Sequence, residues 1–199
     1  MKLHLNQTSP YARVARMVAL ELELSDRLEL VWSDPWADEP ALLAANPCGR
    51  VPVLVTDEGV SIAESLLIAQ YLQRLSSRIS LLPDADAARI LHLAGLGYGL
   101  MEAAFNTVIQ RKHQGNEADA SVLGQRRLRA IERTLDALEA GYADRVTWEL
   151  SLADIIVVVA LDYLSFRLPE LHWQAQHERL QERFNTIGKR RSFNETRFS

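Results

Sequence analysis

The sequence predicts a small α/β domain over residues 1–78, followed by an all-helical bundle over residues 85–199. Three observations predict this. Short strand-like runs alternate with helical stripes as far as Leu75, and one of them, around Val53, enters a hairpin through the turn Asp57-Glu58-Gly59. Beyond Leu82-Pro83 every patterned segment reads helical. Within that second half, Ile155 to Leu161 is apolar on every face, which requires a helix surrounded by others.

The elements follow in order. Lys2 to Leu5 alternates polar and apolar side chains, as a short strand does. Ser9-Pro10 pairs a good helix cap with a favoured first helical residue. Val14, Met17, Val18 and Leu22 then form an apolar stripe, leaving Arg13, Arg16 and Glu23 toward solvent. Leu28 to Trp32 is a second strand, and Ser33 to Ala45 is irregular with one helical turn near Leu42-Leu43. Val51 to Val55 and Val60 to Ile62 are the hairpin strands, and a helix from Ser65 to about Leu75 closes the unit. The order β-α-β-α-β-β-α is a thioredoxin-like arrangement.

After a connector over residues 76–83, Ala85 to about Gln114 is a long helix interrupted by Gly95, Gly97 and Gly99, which allow close helix approach or make room for a ligand. His113 to Asp119 is a polar loop. Ser121 to Gly141 is a second helix, with Leu128, Ile131, Leu135 and Leu138 on one face. Ser151 caps the third, with Asp154 three residues on, close to a capping box.

A chain of 199 residues, 48% hydrophobic and 24% charged, suits one large or two small soluble domains. A net charge of −4 argues against general nucleic-acid binding. The single cysteine, Cys48, forbids an internal disulfide and fits a reducing cytosol. Lys2 is followed by no apolar stretch of signal-peptide length, and the Ile155–Leu161 run is too short to span a bilayer, so a cytoplasmic protein without a membrane partner is expected. The five histidines show no metal-ligand spacing, and no metal is expected.

The stretch Asn46-Pro47-Cys48-Gly49-Arg50-Val51-Pro52-Val53-Leu54 carries the chemistry. Pro52 cannot donate to a sheet ladder, so it stands at a strand end. Val51-Pro52 is a candidate cis bond that would turn the Val51 N–H and C=O outward, to pair with an extended peptide. Glu64-Ser65 then opens a helix. Ser65 sits where backbone N–H groups and the positive dipole end attract a carboxylate, and Glu64 is an acceptor for an amine. Together these suit a small zwitterionic peptide.

"NPCGRVPVL" with "SIAESLLIAQYL" resembles the glutathione-binding half of the cytosolic glutathione S-transferase superfamily, especially its short bacterial members. "SLADI" is similar to that family's capping motif in the helical domain, although the family has a glycine shortly before it and this chain has Trp148-Glu149. Arg191-Ser192-Phe193 is similar to the family's terminal segment. The resemblance implies glutathione as co-substrate, conjugation to a small hydrophobic electrophile, a twofold homodimer and a role in detoxification.

It also assigns roles. "TSPYAR" is similar to the family's Ser-Pro-x-x-Arg element, which implies that Ser9 stabilises the glutathione thiolate. The residues alone read Ser9 as a helix cap, and a serine can do both. Thr8 is the alternative hydroxyl; Tyr11 falls inside the helix, and Arg13 reads as a helix-surface or ion-pair residue. Arg50 is placed to reach the glycine-end carboxylate of glutathione, Val51 and Pro52 to offer backbone, and Glu64 and Ser65 to hold the zwitterionic end. Cys48 lies before the third strand, away from the first helix where a catalytic thiol of this fold would stand. Tyr98, Met101, Glu102 and Phe105 are candidate lining for the second substrate, between the domains. The same site would serve a glutathione-dependent isomerase, dehalogenase or peroxidase, and the fold also serves non-enzymatic binding or regulatory modules.

Overall fold

A computed structural model describes residues 1–143 and 149–199, so Thr147 and Trp148 lie outside the described residues. The chain forms two compact units: Met1–Leu81 with Arg190–Ser199, and Leu82–Lys189.

The first unit is α/β. Its strands are β1 (Lys2–Leu5), β2 (Glu29–Trp32), β3 (Val53–Val55) and β4 (Ser61–Ala63). They form one sheet in the order β2-β1-β3-β4, with β1 parallel to β2 and antiparallel to β3, and β3 antiparallel to β4. The register sets Leu3 opposite Leu30 and Leu54, and Leu54 opposite Ile62. The helices are α1 (Pro10–Glu21), α2 (Pro40–Ala45) and α3 (Ser65–Leu75). The α1 and α3 helices pack together, and Val14, Met17, Ile68 and Leu72 are fully buried with Leu3 and Leu54.

Strand β3 begins two residues later than Val51, because Pro52 offers the ladder no N–H. His4 breaks the simple alternation of β1: it is buried, with Nδ1 3.2 Å from Ser33 Oγ. Burial, reinforced by the charge of Lys2, lowers the His4 pKa and favours the neutral ring.

The last ten residues, expected with the helical domain, belong to the first unit instead. Helix α8 (Arg191–Glu195) packs on α1, where Arg190 forks onto Glu21 at 2.7 and 2.6 Å.

The second unit contains α4 (Ala87–Gln114), α5 (Val122–Ala143), α6 (Leu152–Arg167) and α7 (Glu178–Ile187). Helix α4 is continuous through its three glycines, which the sequence read as an interruption. Gly97 accounts for one of them: a Cβ there would lie 2.9 Å from Val157 Cγ2 and 3.0 Å from Ile156 Cγ2, so the glycine lets α4 approach α6. A Cβ at Gly95 or Gly99 would meet nothing within 4 Å.

Helix α6 is the buried centre that its composition requires, with Leu152–Leu161 wholly inside. Each such aliphatic side chain contributes about 1.5–3 kcal/mol on leaving water. The expected capping box at its start is present. Asp154 N–H donates to Ser151 Oγ, while Ser151 N–H and Oγ–H both donate to Asp154 Oδ2 at 2.8 Å. The other oxygen of this fully buried carboxylate accepts from Arg183 Nε at 2.9 Å and from the Tyr142 hydroxyl at 3.1 Å. Asp154 therefore ties α5, α6 and α7 together at one point.

Candidate active site

The end of the sheet where β1 runs out is built by three loops. In the first, Asn6 Oδ1 accepts the N–H of Ser9 at 2.8 Å and fixes the approach to α1. Ser9 then caps the helix: its backbone is extended (φ −78°, ψ 118°), its Oγ accepts from Ala12 N–H at 3.1 Å, and its carbonyl accepts from Arg13 N–H at 3.1 Å. Pro10 at the first helical position leaves no orphan N–H there. The Ser9 hydroxyl thus acts as acceptor toward its own helix, and among the described residues its proton has no acceptor. It stands at the positive end of α1, worth about half an elementary charge.

The second loop precedes β3. Asn46 organises it by donating through Nδ2 to Arg50 C=O at 2.9 Å and accepting Cys48 N–H on Oδ1 at 3.1 Å. Gly49 N–H returns to Asn46 C=O at 2.8 Å, and Gly49 takes φ +63°, which a glycine adopts without strain. The Val51-Pro52 bond is cis, as the motif suggested. Among the described residues, none hydrogen-bonds the N–H or C=O of Val51, which leaves its backbone unpaired just before β3.

The third loop joins β4 to α3. Ser65 is the first residue of α3 and is buried, and Glu64 precedes it at φ +70°, ψ 122°. That backbone is outside the ordinary left-handed well, a strained conformation that costs about 1–3 kcal/mol and persists only where the surroundings impose it. It leaves the Glu64 carboxylate exposed, 3.0 Å from Arg50 Nη2. The sequence set these two side chains at separate tasks; the structure joins them.

A family model for the glutathione S-transferase N-terminal domain matches residues 8–75, and one for the C-terminal domain matches residues 118–182. The uncharacterised GST-like protein YibF of Escherichia coli is 30% identical over 201 residues, 98% of each chain. The chain belongs to the glutathione S-transferase superfamily. A glutathione S-transferase of Methylobacillus flagellatus, solved with glutathione bound, is 30% identical with a TM-score of 0.91, covering 100% of this chain and 99% of its own. A glutathione transferase family member from Pseudomonas fluorescens, also with bound glutathione, is 29% identical with a TM-score of 0.89, covering 100% and 98%.

Among the remaining residues of this transferase-family chain, Arg13 departs from its sequence reading. Arg13 is not a helix-surface residue. It is buried, because its guanidinium lies between the Phe193 and Phe198 rings, 4.5 and 4.4 Å from their centroids. Met101 is fully buried, so packing accounts for it; Glu102 is exposed, and Tyr98 and Phe105 are half-buried. Cys48 is exposed in the turn before β3, and Tyr11 lies within α1. Two residues that shape the loops escaped the sequence reading, Asn6 and Asn46. Their signal was available: an asparagine placed before Ser-Pro or before Pro-x-Gly commonly bonds its own backbone a few residues on.

Proposed function

We propose that this chain is a glutathione transferase that binds the tripeptide along Val51, stabilises its thiolate at Ser9 and joins the sulfur to a small hydrophobic electrophile. The observation that carries this reading is the division of labour in the Ser9 hydroxyl. Its oxygen caps α1 while its proton is available to a sulfur anion. A hydroxyl donor and a helix N-terminus both favour the ionised thiol. The thiol releases its proton to solvent, and the thiolate lone pair forms the new S–C bond as the electrophile expels its leaving group or accepts the electrons. Ser9 forms no covalent bond, and proximity supplies the rate.

The remaining roles follow the same reading. The N–H and C=O of Val51 pair with the tripeptide as a short added strand, with Pro52 fixing the turn. Ser65 and the start of α3 take the α-carboxylate, and Glu64 takes the amine. Because Arg50 touches Glu64, we reassign it from the glycine-end carboxylate to this same amino-acid end. Relatives support the choice of co-substrate, and the Pseudomonas fluorescens family member has also been solved with bound S-(propanoic acid)-glutathione, the kind of S-alkylated species that transfer produces. The reading includes a homodimer, a cytoplasmic location and a part in detoxification; among the described residues no helix is long and apolar enough to cross a membrane.

The test is calorimetric titration with glutathione, paired with turnover of a chromogenic aryl electrophile. Ser65→Ala is expected to weaken binding. Ser9→Gly, which retains most capping energy, is expected to lower kcat about a hundredfold, as loss of one oxyanion-type donor does, with binding nearly unchanged. No heat at millimolar glutathione would favour a non-enzymatic module.

A further inference from the structure

The C-terminal segment grips α1 at both ends. Toward the start of the helix, Arg13 is held between Phe193 and Phe198, donates from Nε to Thr196 Oγ1 at 3.3 Å, and donates from Nη2 to Phe193 C=O at 3.4 Å. At the last turn, Glu21 receives both forks of Arg190 and the Ser192 hydroxyl. A guanidinium sandwiched between two rings and bonded on its edge is fixed in direction as well as place.

That direction reaches Ser9. The Arg13 N–H closes the first turn on Ser9 C=O, in the same residue as the hydroxyl that caps that turn. A helix of 12 residues frays readily in isolation, and its first turn is the least secured part. Rotation of α1 about its axis by one residue would swing Ser9 away from any fixed sulfur.

We propose that Arg13 is a positioning residue for Ser9, and that the segment Arg190–Ser199 sets the hydroxyl's aim through it. This inference rests on the reading of Ser9 given under Proposed function. Its mechanism is geometric: Phe193, Phe198 and Thr196 orient Arg13, Arg13 orients the first turn of α1, and the turn orients the Ser9 O–H toward the thiolate. The glutathione backbone and head group are held by other residues, so ionisation of the thiol changes while affinity does not.

The experiment follows the ultraviolet thiolate band of bound glutathione against pH in the full-length chain. It compares wild type, Arg13→Met, Arg13→Lys and the milder Phe198→Leu, with affinity measured alongside. Wild type should ionise bound glutathione below the ordinary thiol value of about 8.5. Arg13→Met should raise that midpoint by about one pH unit and lower kcat/KM at neutral pH about tenfold, with affinity within about twofold. Phe198→Leu should give a smaller shift in the same direction, and Arg13→Lys should recover part of it. Midpoints unchanged in Arg13→Met and Phe198→Leu, with only thermal stability lowered, would overturn this inference alone. A wild type that does not lower the midpoint would overturn the Ser9 reading and this inference with it.

Discussion

Arg50 and Glu64 stand fourteen residues apart and meet with Nη2 3.0 Å from Oε1. Their side chains are 69% and 58% exposed, so the pair contributes about 0–1 kcal/mol to the fold and breaks cheaply. Glu64 also holds a strained backbone at φ +70°, and the function proposed above gives its side chain the amine of glutathione. Glu64→Gln should therefore weaken glutathione binding about tenfold, the value of one charge-assisted hydrogen bond. It should also abolish discrimination between glutathione and its N-acetyl derivative. Glu64→Gly should lose the same affinity while gaining about 1 kcal/mol in denaturant stability as the strain is relieved. Unchanged calorimetric affinity in both variants would remove Glu64 from the site.

The glycines of α4 offer a direct contrast. At Gly97 an added methyl would strike the Val157 side chain and approach the Val157 backbone N at 3.3 Å. Gly97→Ala should cost about 1–3 kcal/mol through overpacking. Gly95 and Gly99 face open space, so alanine there should add about 0.5–1 kcal/mol by helix propensity alone. Urea midpoints of the three variants at constant slope decide this, and equal signs at all three would contradict the α4–α6 approach.

The short-range signals in the sequence translate directly into structure. Ser9-Pro10 opens α1, Ser151 with Asp154 opens α6, and Pro52 falls just outside β3. Each is decided within a few residues by which backbone groups need partners. What the sequence does not reveal is long-range pairing. Arg13 carries a charge and sits on the polar side of an apolar stripe, so nothing local says that two phenylalanines about 180 residues later will bury it. The pairing of Arg50 with Glu64 was not legible either, because an ion pair between loops leaves no periodicity. Helix α4 shows the opposite limit, where propensity counts against three glycines and tertiary packing holds the helix continuous.

Glu21 gives the first unit an acid-sensitive contact. Burial alone would push its carboxyl up, but the hydrogen bonds from Arg190 and Ser192 and the charge of Arg190 outweigh it and hold the pKa below the ordinary value of 4.5. As pH falls through the ordinary carboxylate range, the unfolded chain takes up this proton before the folded one does. The stability Glu21 contributes is thus complete above that range and lost as pH drops through the folded pKa. Glu21→Gln should be less stable than wild type at neutral pH and show a shallower loss on acidification below about pH 4.5. Denaturant titrations at a series of pH values measure both, and parallel pH profiles would show that the contact does not titrate.

Asp154 tests the second unit in the same terms. It is fully buried and its carboxylate accepts from Ser151, Tyr142 and Arg183, so both oxygens are satisfied. Removing one partner of a buried pair leaves the other charge stranded, which costs more than the pair is worth. Asp154→Ala should destabilise by about 3–5 kcal/mol, because it strands Arg183, only 8% exposed, and deletes the α6 capping box together. Arg183→Met should cost less, since Ser151 and Tyr142 still donate to the carboxylate. The double variant Asp154→Ala with Arg183→Met should be destabilised by less than the sum of the two, because the second change removes the charge that the first one stranded. Urea unfolding of the four chains gives the cycle, and strict additivity would mean that the two side chains do not act as a pair.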